Sequence, residues 1–133
     1  MSVVMREVRR GRSAAIFAMG TEKECQVLEF LKDLAESNGA EAARTWALID
    51  RTVEHGTPKN KEKCRFFSEL RVFELKTRGG VRIMAFWDTG KLIVCSHAFL
   101  KKSTKTPKRE MERAREAREQ YFNSKQRGRL IFE

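Results

Sequence analysis

This chain has little of what builds a metal centre, a disulfide framework or a membrane anchor. Its three cysteines, Cys25, Cys64 and Cys95, are scattered, with no Cys-x-x-Cys pair and no Cys/His cluster at zinc spacing. An odd, dispersed set argues against a disulfide scaffold and fits reduced thiols in a cytoplasmic protein. Cys25 and Cys95, set among apolar neighbours, are expected to be small core residues. No run approaches the ~20 apolar residues of a transmembrane helix. The apolar run Ala14–Met19 behind the basic N-terminus is too short for the core of a signal peptide. There is one tyrosine, Tyr121, and there are two histidines, His55 and His97, so few side chains have an ordinary pKa near neutrality.

Positive charge is abundant. The 28 Lys and Arg residues against 18 Asp and Glu give a net charge of +10, which favours a polyanionic partner over a small acidic substrate. The excess sits at the two ends. From Lys101 to Arg129 the count is 11 basic to 4 acidic, and from Met1 to Arg12 it is 4 to 1, leaving the middle nearly neutral. At 133 residues the chain suits one domain spanning 1–133. Residues 1–12 read as a basic N-terminal arm or an edge strand, and residues 123–133 as a tail that docks on a partner or extends a sheet edge.

Ser13–Met19 reads as a first strand. Thr21-Glu22-Lys23-Glu24 has the form of a capping box, followed by Val27, Leu28, Leu31, Leu34 and Ala35 at helical spacing as far as Ser37. After Asn38-Gly39 a second helix carries Ala42, Trp46, Ile49 and Val53 on one stripe and closes at His55-Gly56, where His55 suits the negative end of the dipole. Thr57–Arg65 reads as a polar, basic loop. Leu70–Lys76, Val81–Trp87 and Leu92–Phe99, separated by Arg78-Gly79-Gly80 and Asp88-Thr89-Gly90, form an antiparallel meander. Strand alternation puts Phe73 and Leu75 on an apolar face and Val72, Glu74 and Lys76 on a charged one, and sets His97 alongside Cys95 and Phe99. Thr106 is placed to cap a third helix with Pro107 at its first position, carrying Met111, Ala114, Ala117 and Tyr121. Trp46 and Trp87 are expected in the core. The order is β-α-α-β-β-β-α, an α+β fold with an antiparallel sheet packed on a helical hairpin and a C-terminal helix.

Phe73–Lys76 (F-E-L-K), Gly80–Phe86 (G-x-R-x-x-x-F), Ile93–Pro107 (I-V-x-x-H-x-F-x-K-K-x-x-K-T-P) and Glu110–Ala114 together resemble the RelE/ParE superfamily of type II toxin–antitoxin toxins, in particular its phage-derived, HigB-like branch. The resemblance runs from about Ala14 to Phe122. It implies the same RelE-like order of elements and an mRNA interferase: a ribosome-dependent endoribonuclease that inhibits translation by 2′-OH attack, needing neither metal nor cofactor. The implied partners are mRNA, the ribosome and a cognate antitoxin, with no membrane. Where the family usually has Arg after E-L this chain has Lys76, which keeps the charge and lacks the planar fork.

Metal-free RNA cleavage needs a base for the 2′-OH proton, cations for the phosphorane and an acid for the leaving oxygen. Arg82 matches the family's phosphate-stabilising arginine; its bland alternative is a surface arginine on a half-exposed strand. Glu74 is either the base or an orienting partner for Arg82. His97 is either the acid or base or a histidine packed against the sheet. Lys76 and Lys102 complete the candidate catalytic set, while Lys101, Lys105, Lys108 and Arg78 are candidate RNA-backbone contacts. Two other classes compete: a ParE-like toxin acting on gyrase, and a non-catalytic basic module that binds nucleic acid.

Overall fold

The computed structural model describes residues 2–102 and 106–133. The meander forms where the two glycine turns place it. Strands β4 (Val72–Lys76), β5 (Val81–Asp88) and β6 (Leu92–Leu100) pair antiparallel in register. Gly80 and Gly90 turn the chain at φ +98° and +74°, values that an L side chain rarely adopts. The expected basic loop ends sooner than its composition suggested. Cys64–Phe67 forms a short strand, β3, antiparallel to β4 at the sheet edge.

Two helices, α1 (Gln26–Ser37) and α2 (Gly39–His55), form the expected hairpin. Thr21 does not cap α1. Its hydroxyl instead accepts from the amides of Lys23 and Glu24 in a local turn, and the helix begins at Gln26, whose side chain bonds the Ala98 backbone at both donor and acceptor. Asn38 ends one helix and caps the next: its amide donates to Leu34, and its side chain accepts from the Glu41 amide at 3.2 Å. Val27, Leu31, Leu34, Ala42, Ile49 and Val53 pack on the sheet face that carries Phe73, Leu75, Ile83, Ala85 and Cys95.

The sheet is mixed, not antiparallel throughout, and has seven strands among the described residues, in the order β3-β4-β5-β6-β2-β1-β7. The basic arm is strand β1 (Val3–Arg10), its Val3, Val4 and Met5 fully buried between neighbours on both sides. Strand β2 (Ala15–Gly20) pairs antiparallel to β1 and parallel to β6. The tail adds to the sheet as β7 (Leu130–Phe132), parallel to β1. Val3, Val4 and Met5 form a strand despite the basic residues around them because the sheet buries them, whereas β7 only borders the sheet, with Leu130 half-buried and Ile131 and Phe132 exposed.

Helix α3 (Lys108–Gln126) lies across the second sheet face. That face is not the solvated floor that alternation suggested, because Val72, Met84, Phe86 and Val94 pack there under Ala114 and Tyr121. The Tyr121 hydroxyl donates to Asp88 at 2.6 Å, and Lys125 pairs with the same carboxylate at 2.9 Å, fixing the far end of α3 to the β5–β6 turn. A β-bulge at Ser96 shifts the β5–β6 register, so that Ala85 faces Cys95 while Met84 faces His97. Cys95 and His97 therefore lie on opposite faces, against the alternation expected for them. His97 and Phe99 share the α3 side, their rings stacked at 5.8 Å. Trp87 is 37% exposed rather than a core residue.

Candidate functional site

The polar residues of the second face gather beneath the N-terminal turn of α3. Cross-strand pairing sets Glu74, Met84 and His97 in one row and Lys76, Arg82 and Phe99 in the next, which makes Glu74 and Arg82 diagonal neighbours. The Arg82 Nη1 donates to the carbonyls of Thr77 at 3.0 Å and Val81 at 2.9 Å, so the strand's own entry turn grips its guanidinium. Its Nε stands 4.0 Å from Glu74 Oε1. Burial lowers the Arg82 pKa, and the carboxylates of Glu74 and Glu41 oppose that shift by favouring the cation.

Glu74 is wholly buried, an expensive place for a carboxylate unless it is bonded. The bond comes from Thr106, whose hydroxyl donates to Glu74 Oε2 at 2.7 Å. Thr106 is thus not the helix cap expected of it. Pro107 occupies the cap position of α3 with no side-chain cap bond, and Thr106 spends its hydroxyl on the sheet. Glu74 Oε1 and Arg82 Nε are both buried without a hydrogen-bond partner among the described residues.

His97 is buried against α3. Its Nδ1 lies 3.0 Å from Ser96 Oγ and its Nε2 3.3 Å from Glu110 Oε1, the latter without hydrogen-bond geometry. Burial, helped by the Arg113 cation, pushes its pKa down to about 4. The ring is neutral at pH 7, and it occupies the packed position rather than facing solvent beside Arg82.

Lys101 joins the cluster electrostatically. Burial lowers its pKa, the cations of Arg82, Lys76 and Arg65 lower it further, and Glu74 opposes them. Arg82, Lys76, Arg65 and Lys101 thus gather around the buried Glu74, with Glu41 adding to the field at Arg82, and the excess of cations suits an anion with several oxygens. Lys102 is exposed just past the end of β6, and Lys108 is exposed at the first position of α3. Lys105 lies outside the described residues. Arg78, exposed at the tip of the β4–β5 turn, lines a cleft of about 470 Å³ with Arg44, Lys63, Lys76 and Thr77. The Lys76 Nζ leans toward the Lys61 carbonyl at 3.3 Å, so this side chain stands between the Arg82 cluster and the cleft.

Three polar residues of this region escaped the reading of the sequence. Thr106 reads locally as a helix start, and Thr77, between the strand that ends at Lys76 and the Arg78-Gly79-Gly80 turn, carries no signal of its own. Glu41 carried a usable signal: with Thr45, Leu48 and Thr52 it falls on the buried stripe of α2, and a carboxylate there requires a partner. Among the described residues no group of three or more His, Cys, Asp or Glu side chains is arranged to hold a metal ion, and no helix is long and apolar enough to cross a membrane.

No curated protein matches this chain. A family model described as phage derived protein Gp49-like (DUF891) matches residues 29–119, a span that runs from α1 into α3 and takes in Glu74, Arg82, His97 and Lys101. The chain belongs to the Gp49-like family of phage-derived proteins, a RelE-like toxin family.

Proposed function

We propose that this protein is the toxin of a toxin–antitoxin pair, of the HigB-like kind, and that it cleaves mRNA on the ribosome through attack of a 2′-OH on the adjacent phosphate. The observation that carries the reading is Arg82: a guanidinium clamped at Nη1 by two backbone carbonyls, among Lys76, Lys101 and Arg65, with the buried Glu74 as its nearest counter-charge.

As the 2′-OH gives its proton to solvent and its oxygen bonds to phosphorus, the bond from phosphorus to the 5′-oxygen breaks, that oxygen takes a proton from solvent, and in between negative charge grows on the non-bridging oxygens. A fixed planar donor beside a lysine meets that charge without reorganising. Glu74, bonded to Thr106 and diagonal to Arg82, serves as the orienting partner of the guanidinium. Lys102, Lys108 and Arg78, exposed around the cluster, hold the RNA backbone. A basic surface of this kind also suits an acidic antitoxin segment.

The test is cleavage of mRNA on programmed ribosomes, with the ends mapped, alongside naked RNA and a gyrase supercoiling assay. The proposal expects ribosome-dependent cuts. Arg82→Ala should lose about 10²–10³ in rate, and Arg82→Lys should recover little of it. Gyrase inhibition without cleavage would instead identify a ParE-like toxin, and ribosome binding without cleavage a non-catalytic binding module.

A further inference from the structure

Glu41 lies on α2, outside the strands that carry the candidate chemistry, and is 2% exposed. Its Oε1 accepts from Arg44 Nε at 3.0 Å, and its Oε2 accepts from the Thr77 hydroxyl. That hydroxyl accepts in turn from the Val81 amide at 3.1 Å. The carbonyls at either end of this turn, those of Thr77 and Val81, are the two that hold Arg82 Nη1. Gly79 seats the tip of the turn against the helix, since any Cβ there would run into the Glu41 carboxylate.

A hairpin turn needs no buried carboxylate to form; a glycine at positive φ is enough. Arg44, one turn along the same helix, offsets part of the cost of burying this charge, and the one bond among the described residues that the carboxylate makes outside the helix goes to the turn that aims the arginine. We propose that Glu41, acting through Thr77, is a positioning residue for Arg82: it locks the 77–81 turn so that two carbonyls fix the guanidinium plane. This inference rests on the reading of Arg82 as the phosphate-binding group. It concerns a separate link, from helix to turn to arginine.

The Thr77→Val variant removes the hydroxyl at nearly constant shape, Thr77→Ser keeps it, and Glu41→Ala removes the anchor. Single-turnover cleavage measured across ribosome concentrations separates the saturating rate from half-saturation. Thr77→Val and Glu41→Ala should lower the saturating rate about 10- to 100-fold, with half-saturation changed by no more than about twofold, and Thr77→Ser should restore it. The guanidinium NMR signals of Arg82 supply a readout independent of activity. They should shift and exchange faster in Thr77→Val and match wild type in Thr77→Ser, with thermal melts confirming that each variant is folded. If Thr77→Val cleaves at the wild-type rate while Arg82→Ala is inactive, the positioning role is wrong and the Arg82 reading stands. If Arg82→Ala itself cleaves normally, the functional reading fails, and unchanged Arg82 signals in Thr77→Val would then overturn the positioning role as well.

Discussion

Arg82 Nε and Glu74 Oε1 stand 4.0 Å apart on adjacent strands, both buried and both lacking a hydrogen bond among the described residues. Each charge adds to the bonds that compensate the other for leaving water, from Thr106 to Glu74 and from two carbonyls to Arg82. The pair is held by charge and not by a formed bond, so the guanidinium keeps donor capacity for another anion.

Removing either member should be felt in stability. Glu74→Ala leaves Arg82 buried without its nearest counter-charge and should cost about 3 kcal/mol in urea unfolding. A surface arginine would be lost for ~1 kcal/mol or less, but Arg82 lies over a buried carboxylate, so Arg82→Ala should cost about 1–3 kcal/mol and still fold. Equal, negligible losses for both variants would show that the two charges do not depend on each other.

Thr106→Val keeps the shape of the side chain and deletes the donor to Glu74 Oε2. An unpaired acceptor on a buried carboxylate should lower stability by about 1–3 kcal/mol, whereas Thr106→Ser should be nearly neutral. A helix-capping role would give the opposite ranking of readouts, with loss of helical circular dichroism ahead of loss of global stability.

His97 ties stability to pH. Its folded pKa of about 4 lies below the ordinary 6.5, so the unfolded chain takes up the proton first as pH falls. The stabilisation is complete above pH 6.5 and is lost progressively down to pH 4, on the order of 3 kcal/mol in all. Denaturant unfolding of wild type and His97→Phe from pH 4 to 7 isolates the effect from the carboxylates that titrate nearby. The variant should show the shallower slope, and parallel slopes would refute the buried, neutral assignment.

Exposed lysines should carry salt-dependent binding. Lys102→Ala with Lys108→Ala should reduce the slope of log affinity for ribosomes against log salt by about two, with little effect on the saturating cleavage rate. A slope unaltered by both changes would place the phosphate contacts elsewhere.

Much of this arrangement was legible in the residues. The Gly79-Gly80 and Thr89-Gly90 signals fixed the meander, and the period of Val27, Leu31 and Leu34 fixed the helix that covers it. What stayed hidden depends on non-local partners. Val3–Met5 becomes a strand only because β2 and β7 flank it, and the basic residues next to it mask that tendency. The bulge at Ser96 has no local signature, yet it decides which face His97 occupies. Thr106 looked like a cap because capping is local, whereas Glu74, its actual partner, is 32 residues away.

The parallel seam between β2 and β6 has a consequence in time. It joins residues 15–18 to residues 92–95, and pairing across such a separation is slow to form because the loop must close before any contact offsets its entropy. During synthesis the ribosome needs roughly 4–15 seconds to travel from one side of the seam to the other. Through that interval the edge of β2 that carries Ile16 and Phe17 lacks the strand it pairs with in the fold. Until residue 95 is made, the β2 edge has no strand to pair with, and an unpaired strand edge is where a nascent chain is most prone to associate with others.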